Sequence, residues 1–340
     1  MKAMYLEKPG LIVEKELPMP SLAPNEVLVK VKAVGICGSD VEYYTNGRIG
    51  NFVVKAPIIL GHEVAGEIVD TGQNVTSFQI GDRVALEPGI PCQKCEFCKS
   101  GRYNLCPHIR FMGTPPIDGA FREYIAHPEA FTYKIPEYIS FEEAALLEPL
   151  SVGLHAARRA NVQPGDTVAI LGAGPIGLVT LQAVRLRGAA EVLVTDLVDF
   201  RLSIAKDFGA TEVVNVGNVN KSCLANYLKA CDVVIQTATS AEACTQAFDF
   251  VKRGGRIVQV GHPPVSQVPI DPNLLIAEEL DLVGSFRYTN TYPAAVKLLG
   301  AKRIDVKPLI SQTFPLQELQ VALEHVRKHP DRCLKVMIIS

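Results

Sequence analysis

A glycine pattern between a buried strand and a helix constrains the fold of this chain most. An apolar run at 168–171 leads into Gly172, Gly174 and Gly177, and Asp196 closes the next apolar run. In a βαβ unit the first glycine allows a tight turn, the second lets the backbone approach a pyrophosphate, and the third lets the helix pack closely on the strand. The pattern predicts a Rossmann unit that binds a dinucleotide.

The residue after the second strand bears on which dinucleotide binds. An acid at this position accepts hydrogen bonds from the adenosine ribose and repels a 2′-phosphate, so Asp196 favours NAD over NADP. Arg201, a nearby cation in the sequence, argues in the other direction. The helix that starts after Gly174 would direct its N–H groups and its positive dipole end at the cofactor phosphates.

The rest of the chain divides into two patterns. Its 340 residues suffice for two domains of about 150 residues each. The first third has short β-branched runs between Gly and Pro residues, which indicates an irregular β-barrel, whereas from about Gly153 apolar strands alternate with helical stretches, which indicates a parallel sheet. The expected strands are 27–34, 64–69, 167–171, 191–195, 232–236 and 256–260, and the expected helices are 178–187 and 201–208. After residue 286 we expect one more helix and a final strand near 336–339, which could complete either domain.

Four cysteines lie close together in the first half of the chain. Cys92, Cys95, Cys98 and Cys106 can supply four thiolates from one short lobe, the closed tetrahedral arrangement of a structural zinc site. A competing interpretation is a zinc ribbon that binds nucleic acid or a partner protein. The formal net charge of -2 and the absence of a basic stripe argue against nucleic acid, so we expect zinc to order the lobe locally.

A second set offers fewer ligands. Cys37, His62 and Glu63 are three potential zinc ligands, which leaves one coordination position for water or substrate, as in catalytic sites. A zinc ion there would lower the pKa of an alcohol, and the alkoxide would expel hydride readily. The competing interpretation is an ordinary buried thiol, a core histidine and a surface carboxylate.

The sequence also bears on location and partners. It contains no run of about 18 apolar residues, and its first residues read as a strand rather than as a signal peptide. An odd count of nine cysteines with zinc-type spacing favours reduced thiols. We therefore expect a cytoplasmic protein that acts on a small molecule and binds neither membranes nor nucleic acid.

Several motifs together resemble a known family. The stretches 35–40 (Gly-Ile-Cys-Gly-Ser-Asp), 61–63 (Gly-His-Glu) and 148–153 (Glu-Pro-Leu-Ser-Val-Gly), with the cysteine lobe and the glycine pattern, resemble the zinc-dependent medium-chain dehydrogenases over nearly the whole length. Within that family, Tyr43 with 47–52, 114–116, and 286–288 before 290–291 are most similar to the polyol dehydrogenases that act on sorbitol, xylitol and L-iditol.

The resemblance implies a domain organisation and an assembly. Residues 1–150 and 287–340 would form a GroES-like β-barrel catalytic domain, which carries the zinc lobe at about 88–110. Residues 151–286 would form a Rossmann domain, a doubly wound parallel sheet that binds NAD. Relatives are usually tetramers, so a homotetramer with two zinc ions per subunit is expected.

The resemblance also implies roles for individual residues. Cys37, His62 and Glu63 match the catalytic zinc ligands, and Glu148 matches an acid that binds zinc directly or through water. Because a second carboxylate ligand would make the zinc site negative and a poorer Lewis acid, we favour Glu148 acting through water, as general base, with Ser39 in the proton relay. The positions that match polyol contacts and pocket walls are Tyr43, Phe111, Thr114, Glu148, Arg287 and Tyr288. Those that match the NAD site, beyond the three glycines, are Ile176, Asp196, Arg201, Val260, Gly261, His262, Ser285, Phe286 and Arg287.

The expected activity is NAD-dependent oxidation of a polyol secondary hydroxyl to a ketose, such as sorbitol to fructose or xylitol to xylulose. Tyr43, Arg287 and Tyr288 would supply several hydrogen-bonding groups, and a simple alcohol would leave these buried groups unpaired. One alternative is a dehydrogenase of another secondary alcohol, such as threonine or butanediol. A less favoured alternative is an NAD-binding protein without catalytic activity.

Overall fold

The computed structural model describes residues 1–218, 224–265 and 267–340. The strands are β1 (Lys2–Lys8), β2 (Leu11–Glu16), β3 (Glu26–Gly35), β4 (Arg48–Ile49), β5 (Phe52–Val53), β6 (Ile58–Ile59), β7 (Glu63–Thr71), β8 (Arg83–Leu86), β9 (Gly89–Ile90), β10 (Arg110–Phe111), β11 (Tyr124–Pro128), β12 (Thr132–Lys134), β13 (Thr167–Leu171), β14 (Glu191–Asp196), β15 (Glu212–Asn215), β16 (Cys231–Gln236), β17 (Val251–Gln259), β18 (Asp281–Gly284), β19 (Ile310–Pro315) and β20 (Lys335–Ile339). The helices are α1 (Gly38–Asn46), α2 (Glu96–Lys99), α3 (Phe141–Ala145), α4 (Leu147–Ala160), α5 (Pro175–Leu186), α6 (Asp199–Asp207), α7 (Ala241–Phe250), α8 (Pro272–Ala277), α9 (Tyr292–Gly300) and α10 (Leu319–Lys328).

The chain forms two compact units. The first comprises Met1–Glu148 and Tyr292–Ser340, and the second comprises Pro149–Thr291. The sequence analysis placed the domain boundaries after residue 150 and before residue 287. In the structure, the second compact unit also includes 149–150 and 287–291. One contact that holds 287–291 there is the hydrogen bond from Arg158 Nη2, on α4, to the carbonyl of Thr289 at 2.8 Å.

The second unit is built on a parallel sheet. Its strand order is β15-β14-β13-β16-β17-β18, and every pairing is parallel, which is the doubly wound Rossmann arrangement. Within this unit, the four strands and two helices expected from the sequence are confirmed as β13, β14, β16, β17, α5 and α6. Helix α5 starts at Pro175, earlier than expected, because proline fits the first turn of a helix, where its missing N–H has no intrahelical partner.

The first unit is mostly antiparallel. One sheet has the order β12-β8-β7-β3-β20-β19, with β11 also paired to β3, and a smaller sheet has the order β2-β1-β6. Val29, Ile68, Leu86 and Phe121 are fully buried in the shared core. The final strand β20 pairs with β3 and β19, so the C-terminal segment completes the first unit.

Within the described residues, no helix is long and apolar enough to cross a membrane.

Candidate metal centres and cofactor site

The four lobe cysteines converge in the structure. Their Sγ atoms all lie within 4.8 Å of one another. Two short elements bring them together, because α2 follows Cys95 directly and a single 3₁₀ turn, Tyr103–Leu105, leads into Cys106. Four convergent sulfurs fit the closed tetrahedral site expected for structural zinc.

The ionisation of these thiols agrees with a cation site. Backbone N–H groups, above all that of Lys94, lower the pKa of Cys92 to about 6, whereas burial raises the pKa of Cys98 to about 12. Four thiolates within 4.8 Å of one another would repel strongly, so a bound cation would be needed to balance their charge. A divalent metal would stabilise all four as thiolates.

A buried carboxylate ties the lobe to the first unit. Glu87 accepts hydrogen bonds from the hydroxyls of Tyr103, in the lobe, at 2.6 Å and Tyr133, in β12, at 2.9 Å. The Tyr133 ring stacks on Tyr292, whose hydroxyl donates to the Leu86 carbonyl at 3.0 Å. Sequence reasoning missed Glu87, although a charged residue directly after the apolar run 84–86 offered a signal.

The second ligand set is assembled from separate parts of the first unit. Cys37 caps the N-terminus of α1, while His62 immediately precedes β7 and Glu63 begins it. One ligand atom from each lies within 4.8 Å of the other two. His62 and Glu63 are buried, and Cys37 is half-buried. Two ligands from one strand start and one from a helix cap thus converge on a single point.

Two glycines make this arrangement possible. Gly61 has a positive φ of 89°, and a Cβ there would lie 3.1 Å from Phe121 and Val34, so only glycine fits before His62. Gly35 pairs with Glu63 across β3 and β7, and a Cβ at Gly35 would lie 2.1 Å from Oε2 of Glu63. Gly35 therefore leaves room for the carboxylate.

Asp40 contacts the backbone and the histidine of the open ligand set, which consists of Cys37, His62 and Glu63. It is fully buried, and its carboxylate accepts from the backbone N–H of Cys37 at 2.9 Å and of Gly61 at 3.0 Å. Its Oδ1 lies 3.8 Å from Nδ1 of His62. Burial lowers the pKa of His62, but the negative charges of Asp40 and Cys37 outweigh burial and raise it to about 10. A carboxylate behind a ligating histidine is the usual way that metal sites orient the ring. The sequence analysis assigned no role to Asp40.

Lys335 is the second residue at this site that the sequence analysis missed. Its Nζ pairs with Oε1 of Glu63 and donates to the Ile36 carbonyl at 3.3 Å. Both partners of the ion pair are buried. A single lysine within the apolar run 334–339 was the available signal, because a charge inside a buried strand needs a partner.

The residues present fit a zinc ion in the open set. The other carboxylate oxygen of Glu63, Oε2, is buried and has no hydrogen-bond partner among the described residues. A thiol, an imidazole and a carboxylate are the donor types that zinc binds. Glu148, in the first turn of α4, lies outside this compact group but close enough for its charge to raise the pKa of His62. Ser39 is half-buried in the first turn of α1.

The residues expected to contact substrate fall into both units. Tyr43 is buried on α1, Phe111 lies with its ring centroid 5.7 Å from that of His62, and Thr114 is half-buried. In the second unit, Tyr288 is buried, and Arg287 adopts a positive φ of 49° with its guanidinium 4.9 Å from the Phe286 ring centre.

The glycine pattern has the geometry of a phosphate-binding turn. Gly172 has a φ of 107°, and a Cβ on Gly177 would lie 1.9 Å from the Gly172 carbonyl oxygen. A Cβ on Gly174 would meet nothing within 4 Å, so open space lies in front of the residue that caps α5. This turn fits a pyrophosphate at the helix N-terminus.

Asp196 is held beside this turn. Its Oδ2 accepts from the backbone N–H of Ala173 at 2.6 Å, and its Oδ1 accepts from those of Leu197 and Val198 at 2.8 and 3.0 Å. Arg201 Nη1 lies 3.9 Å from Oδ2. The carboxylate is therefore fixed at the end of β14, where a ribose would lie.

The remaining expected cofactor residues lie at the carboxyl ends of the strands or on α5. Backbone N–H groups of Val260 and Gly261 donate to the Gln236 carbonyl at 2.9 and 3.0 Å. The side chain of Gln259 donates to that of Gln236 at 2.8 Å, a pairing the sequence analysis did not foresee. The other positions are Ile176, half-buried on α5; His262, exposed; Ser285, buried; and Phe286, exposed.

Comparison with known proteins agrees with this geometry. Residues 23–137 match the family model of the alcohol dehydrogenase GroES-like domain, and residues 175–301 match that of the zinc-binding dehydrogenases. The chain is 46% identical to the sorbitol dehydrogenase of Bacillus subtilis over 99% of its own length and 97% of that protein. It belongs to the zinc-dependent medium-chain dehydrogenases. This confirms the family, the GroES-like and Rossmann fold class, and the enzyme class that the sequence predicted.

Two further proteins place the chain within this dehydrogenase family. A putative D-xylulose reductase of Agrobacterium fabrum is 40% identical over 100% of the chain and 99% of that protein. An alcohol dehydrogenase of Escherichia coli, solved with NADH, superposes with a TM-score of 0.92 at 29% identity and covers 100% of the chain and 99% of that structure. The four-cysteine set of this dehydrogenase fits a structural zinc site, and Cys37, His62 and Glu63 fit a catalytic one.

Proposed function

We propose that this protein is an NAD-dependent polyol dehydrogenase, which oxidises a secondary hydroxyl of sorbitol, xylitol or a related polyol to the ketose. The observation that carries the proposal is the open set Cys37, His62 and Glu63, in a chain that is 46% identical to a sorbitol dehydrogenase across nearly the whole length. The likeness to a putative D-xylulose reductase supports the same substrate class. Oxidation of sorbitol at C2 yields fructose, and oxidation of xylitol yields xylulose.

The roles at the metal site follow from its chemistry. Cys37, His62 and Glu63 would hold zinc, which supplies Lewis acidity to a substrate oxygen when bound. Asp40 orients His62 and fixes the backbone before it. We propose that Glu148 acts through a water and serves as general base for the hydroxyl proton, with Ser39 in the relay.

Recognition of a polyol requires several polar groups. We propose that Tyr43 and Tyr288, both buried, and Arg287 bind the hydroxyls, while Phe111 and Thr114 form pocket walls. A substrate without those hydroxyls would leave buried donors and acceptors unpaired, which disfavours simple alcohols.

The cofactor contacts follow from the Rossmann unit. Gly172, Gly174 and Gly177 would hold the pyrophosphate at the start of α5, and Asp196 would accept from the ribose hydroxyls. The fixed carboxylate of Asp196 supports a preference for NAD over NADP. The further contacts that we propose come from Ile176, Arg201, Val260, Gly261, His262, Ser285, Phe286 and Arg287.

The test is reduction of NAD and NADP by the zinc-replete enzyme with sorbitol, xylitol, galactitol, threonine, butanediol and ethanol. We expect polyol turnover with NAD that disappears in Glu63→Ala and persists in a control at an exposed acid, Glu212→Ala. Turnover of threonine or butanediol without polyol turnover would contradict the substrate class. Cofactor binding without any turnover would favour the catalytically silent alternative.

We also propose that the enzyme works as a homotetramer in the cytoplasm. The described cysteines are all free thiols, which suits a reducing compartment. Strand β18 lies at an edge of the parallel sheet, and Leu282 on it and Ile276 nearby expose apolar side chains that another subunit could cover. Light scattering on the purified protein would give a mass of four chains.

A further inference from the structure

A buried lysine lies directly behind one of the zinc ligands. Lys335 is the first residue of β20, where the backbone N–H of Ile36 donates to the Val336 carbonyl at 2.9 Å and so fixes the strand beside Cys37. The ammonium pairs with Oε1 of Glu63 and donates to the Ile36 carbonyl. The side chains of Lys335 and Glu63 are only 4% and 1% exposed. Solvent therefore screens this ion pair little.

We propose that Lys335 is a positioning residue for Glu63 and the permanent counter-charge of the open ligand set, so that it weakens zinc binding while it strengthens zinc as a Lewis acid. The inference rests on the proposed function in one respect, namely that Cys37, His62 and Glu63 hold a zinc ion. Among the described residues, Lys335 is the cation that pairs with a ligand of this set.

The positioning part follows from the two carboxylate oxygens. Oε1 is tied by Lys335, whereas Oε2 has no hydrogen-bond partner among the described residues and occupies the space that Gly35 leaves open. A carboxylate held by one oxygen keeps a fixed orientation and offers the other to a metal. Outer contacts of this kind commonly set ligand orientation in metal sites.

The charge part follows from the groups around the site. Cys37 as thiolate, Glu63, Glu148 and Asp40 each contribute a negative charge, while Lys335 contributes a positive one. Zinc with one thiolate and one carboxylate ligand is formally neutral, and neighbouring carboxylates reduce its polarising power further. A fixed cation against Glu63 draws electron density away from that ligand, so that the ligand donates less to the metal.

The same cation must oppose metal binding. Without the metal, Lys335 is attracted to Glu63, whereas a zinc ion held by Glu63 would add a divalent positive charge that repels it. Replacing Lys335 by a neutral residue should therefore tighten zinc binding and weaken catalysis together. A lysine with only a structural role would do the reverse, because its loss would loosen Glu63 and weaken zinc binding.

Three substitutions separate the two parts. Lys335→Gln keeps a hydrogen-bond donor and removes the charge, Lys335→Met removes both, and Lys335→Arg keeps both. Lys32→Gln, at a half-buried lysine on the neighbouring strand β3, is the matched control because its ion pair with Glu67 lies outside the site. Zinc affinity is measured by competition with a chromogenic chelator. The ion bound by the open set is identified as the one that the variant Cys37→Ala does not bind.

We expect Lys335→Gln to bind this zinc at least about tenfold more tightly and to lower kcat on sorbitol at least about tenfold, with KM changed less than threefold. Lys335→Met should show a smaller gain in zinc affinity than Lys335→Gln, because it also loses the orientation of Glu63. Lys335→Arg should keep both zinc affinity and kcat within about threefold of the values for the original chain. The control Lys32→Gln should do the same.

Unchanged or weaker zinc binding in Lys335→Gln, or an unchanged kcat, would overturn the inference. If the metal-free variant does not stay folded, the rate at which the zinc-loaded variant gives up its metal to excess chelator replaces the affinity, and a rate no slower than in the original chain overturns the inference. The proposed function fails separately, when the original chain holds no zinc ion that depends on Cys37.

Discussion

The two candidate metal centres lie in the same unit but are built in opposite ways. The four-cysteine lobe collects all its ligands within residues 92–106 and offers only sulfur. The open set takes Cys37 from a helix cap and His62 and Glu63 from the start of β7, and it mixes sulfur, nitrogen and oxygen. The ligands of the lobe come together within one short segment, whereas those of the open set come together only when β3, α1 and β7 have packed.

The two centres also differ in the charges of the groups around them. The lobe is attached to the rest of the unit through neutral tyrosine hydroxyls that donate to Glu87. The open set is surrounded by buried charges of both signs, from Asp40, Glu148 and Lys335. A structural zinc needs ligands alone, but a catalytic zinc also needs a controlled electrostatic environment. The comparison predicts that lesions at one centre affect stability and lesions at the other affect chemistry.

The largest effect should come from the open set. Cys37→Ala removes one of three ligands, so we expect kcat/KM on sorbitol to fall at least about 1000-fold, roughly 4 kcal/mol of transition-state stabilisation. Zinc analysis should show loss of one of two ions, with little change in thermal stability. Cys244→Ser, at a buried thiol on α7 outside both sets, serves as the control. Retained turnover in Cys37→Ala would place the chemistry elsewhere.

The lobe should respond in the opposite way. In Cys95→Ser the remaining thiols cannot close a four-ligand site, so we expect the apparent midpoint of thermal unfolding to fall by about 5 °C or more. Limited proteolysis should cut within 91–110, while kcat/KM of the surviving folded enzyme stays within about threefold. A loss of kcat/KM that matches that of Cys37→Ala would mean that the two centres are not separable.

An intermediate effect is expected at Asp40. Asp40→Asn turns one acceptor into an N–H₂ group that faces the backbone donors of Cys37 or Gly61. We expect zinc affinity at the open set to fall about 10–100-fold, while the lobe keeps its ion. Chelator competition that follows both ions measures this. Equal loss from both centres would indicate general unfolding instead of a local effect on His62.

The smallest effect is expected at the anchor of the lobe. Tyr103→Phe removes one of two hydroxyls that satisfy the buried carboxylate of Glu87, which costs about 1–2 kcal/mol. Tyr133→Phe removes the other hydroxyl without touching the lobe and is the matched control. Chemical denaturation should give similar losses for both, but only Tyr103→Phe should increase proteolysis within 91–110. Equal proteolysis in both variants would contradict the anchoring role.

Much of the architecture was predictable because its signals are short-range. The strands β13, β14, β16 and β17 showed as apolar runs, and the turn at Gly172 showed as a glycine pattern whose spacing is set by backbone geometry. The cysteine lobe was equally clear, since all four of its ligands lie within the segment from Cys92 to Cys106. In each case, residues close in the chain determine the contact, so the order of residue types is sufficient.

Sequence by itself therefore determined the fold class, the family and the residues of the two candidate ligand sets in this dehydrogenase. Only the tertiary structure decided what surrounds those ligands. Lys335 and Glu63 are 272 positions apart in the chain, and their contact depends on β20 joining the sheet of the first unit. Asp40 reached the backbone of Gly61 through the packing of α1 against the turn before β7. Such contacts depend on strand register and on which partner each buried charge finds, and no local pattern encodes either.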